Sequence, residues 1–81
     1  MREQIRKREE SAFSQLTEQE LRVLSHLSEG RTNREIADIL ALGEGTVRNY
    51  VSSVFSKLHV TNRAEAAAYA AAHNIRDYCS G

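Results

Sequence analysis

Polar caps divide this chain into short helical segments, and that punctuation limits its fold more than any other feature. Thr17 stands three residues before Glu20, and Thr32 three before Glu35. In each pair the hydroxyl can accept the third helical amide while the carboxylate reaches back to the cap. Asn62 and Glu65 repeat the spacing. Eighty-one residues allow one domain at most, so its core must be compact and its helices well capped.

Apolar residues follow each cap at helical intervals. Leu21, Val23, Leu24 and Leu27 form the first stripe, which ends before Gly30, a C-terminal cap. The second helix turns Ile36, Ala37, Ile39 and Leu40 inward, and Leu42 and Gly43 make the turn after it. The third runs over about 44–58 with Val47, Val51, Val54 and Leu58 at helical spacing, flanked by Tyr50 and Phe55. The fourth, about 63–73, carries seven alanines, and Ile75 closes the core. The chain lacks Pro and has four Gly, which favours helix over sheet. The fold class is all-α: a compact four-helix domain with a central helix-turn-helix. Residues 1–15 are charged and nearly without apolar periodicity, a linker or leader segment before a domain at 16–75, with a tail at 76–81.

Residues 32–51 carry the functional signal. Two helices crossing over a tight turn need a small side chain at the crossing, and Ala37 supplies it. Leu40 and Leu42 plug the angle, Val47 and Val51 complete the wedge, and Gly43 can enter a conformation closed to most residues. The outer face of the second of these helices is then free to enter a major groove, about 12 Å wide in B-DNA. There Arg48 can donate two hydrogen bonds to guanine, Asn49 can pair with adenine, and Ser52 offers a shorter donor or acceptor. Ser53 and Ser56 are candidates for phosphate or water contacts, and Thr46 for a phosphate. The helix opening at Thr32 and Asn33 can offer its amides to another phosphate. An exposed Arg-Asn pair is also ordinary solvated surface, and periodicity alone does not decide between the two.

Charge does not decide either. Eleven Lys and Arg balance eleven Asp and Glu, whereas many DNA binders are strongly basic. Residues 45–81 hold four basic and two acidic side chains, a slight local excess. Non-specific affinity should be weak, so dimerisation or a short basic face would have to compensate.

The segments LTEQELRVL, EGRTNREIADIL, EGTVRNYVSSVFSKL and VTNRAEAAAYA, in that order, resemble the C-terminal DNA-binding domain of the LuxR family, and within it the NarL/FixJ-type response regulators. The resemblance covers residues 16–75. It implies a third helix that reads bases and a fourth that forms a two-fold dimer contact on DNA. By position it matches Arg48, Asn49 and Ser52 to base-reading sites, Thr46 to a phosphate contact, and Asn33 and Lys57 to backbone contacts. Ala64, Ala67, Ala68 and Ala71 match the dimerising face, although alanines also simply make a good helix. The partners implied are double-stranded DNA, a second copy on DNA, and RNA polymerase, with an upstream receiver or sensor domain outside this chain. Three positions depart from the family pattern: Gly43 replaces a capping serine, His59 replaces a glycine after the third helix, and Ser52 replaces a frequent lysine.

Residue chemistry for catalysis is missing. His26, His59, His73 and Cys79 lack metal-ligand spacing, so neither an enzyme, a metal site nor a cofactor is expected. One cysteine suits a reducing compartment, and without a secretory signal or membrane span the expected location is the cytoplasm. Two other readings compete: a helical interaction module that does not read bases, and a sigma-factor-like domain acting only within polymerase.

Overall fold

The computed structural model describes residues 13–75. Most of the expected leader and the whole expected tail, including Cys79, lie outside the described residues. Four helices follow one another: α1 (Glu18–Ser28), α2 (Asn33–Leu40), α3 (Glu44–Leu58) and α4 (Arg63–Ala72). No strand occurs among the described residues. The all-α, four-helix expectation holds.

Three of the four helices begin where a side chain satisfies an orphan amide. Thr17 and Thr32 form complete capping boxes with Glu20 and Glu35. Asn62 accepts the Glu65 amide at 2.8 Å, while the Glu65 carboxylate turns instead to the amide and hydroxyl of Thr61. Gly43 caps α3 without any side-chain bond.

Three helices end by the same device. After α1, Gly30 donates to Leu27 and Arg31 to His26, with Gly30 at φ 90°, so the expected glycine cap is present. After α2, Ala41 donates to Asp38 and Leu42 to Ala37; after α3, His59 donates to Ser56 and Val60 to Phe55. Ala41 and His59 are therefore left-handed, at φ 59° and 60°. His59, which stands where the family resemblance has a glycine, holds the left-handed backbone itself. Gly43 corrects a different expectation, because its φ of −76° is open to any residue. The left-handed step of the turn falls on Ala41, where the two reversing hydrogen bonds require it.

The core is one cluster. Val23, Leu24 and Leu27 of α1 meet Ile36 and Ala37 of α2, Val47, Val51, Val54 and Leu58 of α3, Ala66 and Ala70 of α4, and Ile75. Helix α1 is the common support, since α2, α3 and α4 all pack against it. Ile39 is 48% exposed, which corrects its expected inward placement. Ile36, Ala37 and Leu40 already fill one face of this eight-residue helix, and at about 100° per residue Ile39 lies beyond its edge.

Phe13 is the other surprise. It is buried to 2% exposure and meets the rings of Tyr69 and His73 edge-on, each at 6.1 Å. Its carbonyl also accepts the Leu16 amide. The core thus begins three residues ahead of the expected start at Leu16.

Candidate nucleic-acid interface

Helix α3 is held by one face and bare on the other. Val47, Val51, Val54 and Leu58 are buried, while Gly45, Arg48, Asn49, Ser52 and Ser56 are exposed. At about 100° per residue these five occupy roughly 100° of the helix circumference, a single outward face. Gly45 adds no side chain to it; a Cβ there would stand 4.0 Å from an Arg48 guanidinium nitrogen. Among the described residues no ion pair engages Arg48, whereas Arg22, Arg31 and Lys57 are all paired with carboxylates. The expected base-reading set of Arg48, Asn49 and Ser52 therefore sits together, exposed, on one face. Thr46 is exposed in the first turn, beside that face.

The flank of α3 behaves differently. Ser53 donates its hydroxyl to Glu20 Oε2 at 2.7 Å, and the Lys57 ammonium lies 2.9 and 3.2 Å from the two Glu20 oxygens. The Thr17 amide adds a bond at 2.8 Å. Glu20 itself is 5% exposed. Burial alone would raise its carboxyl, but the hydrogen bonds from Ser53, Lys57 and Thr17, together with the Lys57 charge, outweigh it and hold the value at about 2. Ser53 and Lys57, two of the residues expected at phosphates, are thus engaged within the domain. Glu20 could be read from the sequence only as part of a cap.

The start of α2 is also partly occupied. The Thr32 amide and hydroxyl are both used in the box with Glu35, at 2.9 and 3.1 Å. The Asn33 side-chain oxygen accepts a bond from Arg63 at 3.2 Å, and Arg63 also donates to the Arg31 carbonyl. Arg63 therefore brings positive charge to the opening of α2, a placement the sequence reading missed. A signal existed, because a basic residue in the first turn of a helix opposes the dipole and calls for a partner elsewhere.

On α4, Ala66 and Ala70 face the core while Ala64, Ala68 and Ala71 are exposed and Ala67 is half-buried. The small-residue stripe points away from the domain. No group of His, Cys, Asp and Glu among the described residues could hold a metal ion, and none of the described helices is long and apolar enough to cross a membrane.

The chain has clear relatives. The profile of a family described as bacterial regulatory proteins, luxR family, matches residues 14–70. The transcriptional regulatory protein LnrK of Bacillus subtilis is 47% identical over 60 residues, 74% of this chain and 27% of that protein. The DNA-binding transcriptional activator DevR/DosR of Mycobacterium tuberculosis is 50% identical over 58 residues, 72% of this chain and 27% of its own length. The response regulator protein VraR of Staphylococcus aureus is 39% identical over 75 residues, 93% of this chain and 35% of VraR. The chain thus spans about a third or less of these relatives. A profile matching most of the chain, laid over a helix-turn-helix with one bare face, places this chain in the LuxR family of bacterial regulatory proteins.

Proposed function

We propose that this chain is the output domain of a two-component response regulator and binds double-stranded DNA in a sequence-specific manner. One observation carries the reading: α3 buries four apolar residues and leaves Arg48, Asn49 and Ser52 together on its exposed face. That face is one helix wide and suits a major groove. Arg48 addresses guanine and Asn49 adenine, with Ser52 as the adaptable third contact. Thr46, Ser56 and the Asn33 amide at the opening of α2 face the backbone, while Thr32 is held by Glu35.

Dimerisation belongs to the same proposal. The exposed stripe of Ala64, Ala67, Ala68 and Ala71 has little to bind except a surface that approaches closely, and a second α4 meets that need. Two copies would then address half-sites about one turn of DNA apart, near 34–36 Å. In the full-length protein a receiver or sensor domain governs that pairing, RNA polymerase is the downstream partner, and the cytoplasm is the compartment.

Selection of bound duplexes from a random pool tests the whole reading. Recovery of a repeated half-site with a spacing near one helical turn is the expected result. A pool that stays random through successive rounds would leave a helical interaction module as the better description.

A further inference from the structure

The Glu20 carboxylate is saturated. Its Oε1 accepts the Thr17 amide and the Lys57 ammonium, and its Oε2 accepts the Ser53 hydroxyl and the same ammonium. Those four bonds use about all the acceptor capacity a carboxylate has. Two of the donors, Ser53 and Lys57, lie one turn apart on α3, and the carboxylate belongs to α1. The outward face of α3 is centred near Ser52. From Ser52, Ser53 and Lys57 lie roughly 100° and 140° around the helix, on the side turned towards α1. Apolar contacts resist the separation of two helices but tolerate small rotations, whereas two hydrogen-bonded anchors a turn apart fix the rotation as well.

From this arrangement we infer that Glu20, Ser53 and Lys57 are positioning residues that set the rotation of α3, and that Lys57 acts through Glu20 and not on a DNA phosphate. The inference rests on the DNA-binding reading above and deepens it. It also bears on the neutral charge of the chain. With Lys57 neutralised by Glu20, Arg48 is the one basic side chain on α3 without an ion pair among the described residues. One ammonium proton of Lys57 is left over after its two bonds to Glu20, so a bridge to a phosphate is the arrangement to test against.

The salt dependence of binding separates the two roles. Each phosphate neutralised by a cationic side chain contributes about 0.9 to the slope of log affinity against log salt, and a positioning residue contributes nothing. The 81-residue chain would be titrated against a duplex recovered by the selection and against a scrambled duplex of equal length, over a series of salt concentrations. Lys57→Met leaves Glu20 as a buried unpaired charge, so Glu20→Gln/Lys57→Met serves as the companion variant. In it the amide oxygen can still accept from Thr17, and the amide nitrogen can donate to the Ser53 hydroxyl.

The expected result is an unchanged slope in both variants, with preference for the selected duplex reduced by about fivefold, the lower end of what one bidentate base contact supplies. A slope smaller by about 0.9 with the preference intact would overturn the inference and make Lys57 a phosphate contact, while DNA reading would stand. Unchanged slope and unchanged preference would overturn it as well, leaving the three residues as a support for stability alone. If the unsubstituted chain bound both duplexes equally, the DNA reading itself would fail and take the inference with it.

Discussion

Phe13 lies edge-on to Tyr69, with ring centroids 6.1 Å apart and planes at 73°, and so ties the entry of the domain to its last helix. The pair seals the end of the core where α4 leans on α1. Removing a fully buried aromatic ring costs transfer energy and leaves a cavity. Phe13→Ala should therefore destabilise the domain by about 3–5 kcal/mol, a large part of what a domain this small possesses. Urea denaturation followed by helical signal would show a midpoint shifted sharply down. A shift equivalent to less than about 1 kcal/mol would mean that the ring is dispensable.

Acid should act through Glu20. Its carboxyl titrates at about 2 in the fold against an ordinary value of 4.5. The unfolded chain therefore takes up this proton first, and the stabilisation is complete above about pH 4.5 and fades as the pH falls towards about 2. The contribution is on the order of 3 kcal/mol, and more than half of it should be gone by about pH 3. Glu20→Gln should be less stable than the parent at neutral pH, and that gap should narrow between about pH 6 and pH 3. Parallel pH profiles for the two chains would remove Glu20 from the acid response. Glu65 is lowered by its bonds from Thr61, but it is fully exposed and should contribute little.

Backbone handedness makes a prediction with two signs. His59 and Gly30 both hold positive φ, at 60° and 90°. His59→Gly relieves the crowding of a left-handed side chain and should raise stability by about 0.5–1 kcal/mol. Gly30→Ala should lower it by about 1 kcal/mol, although an added Cβ would meet nothing within 4 Å. Thermal melts should move in opposite directions by several degrees. Two shifts of the same sign would show that contacts, and not φ, control these positions.

Local chemistry was legible in the sequence and long-range chemistry was not. The capping boxes, the stripe of Val47, Val51, Val54 and Leu58 and the closing Ile75 all follow from spacings of one or two turns. Glu20 shows the boundary between the two kinds of information. Its role in the cap is a three-residue pattern, but its bonds to Ser53 and Lys57 cross 33 and 37 positions. Phe13 stands alone in a charged run, and its ring partners lie at the other end of the chain. Ile39 was misplaced because four apolar residues within five positions cannot all share one contact face. Gly43 drew attention as a glycine in a turn, yet the reversing hydrogen bonds put the left-handed residue at Ala41. The exposed set of Arg48, Asn49 and Ser52 was readable as a face. That Ser53 and Lys57 belong to a different face became visible only with α1 in place.

Helix α4 supplies the prediction for pairing. Ala67 is half-buried in the middle of the small-residue stripe. In the proposed dimer, Ala67→Glu would place a charge and a longer chain between the two α4 helices. Cooperative binding to a duplex with two half-sites should fall, while binding to a single half-site should change little. Cooperativity equal to that of the parent chain would exclude this stripe from the dimer contact.

Base reading by α3 is tested most directly by Arg48→Ala. Arg48 is exposed, outside the core, and free of ion pairs among the described residues, so the fold should survive the change. The measurement is affinity for a selected duplex and for a scrambled duplex of equal length, at one salt concentration, with helical signal as the control. Specific affinity should weaken by about 1–3 kcal/mol, with a much smaller change on the scrambled duplex. Equal affinity for the two duplexes in both parent and variant, with the helices intact, would contradict it.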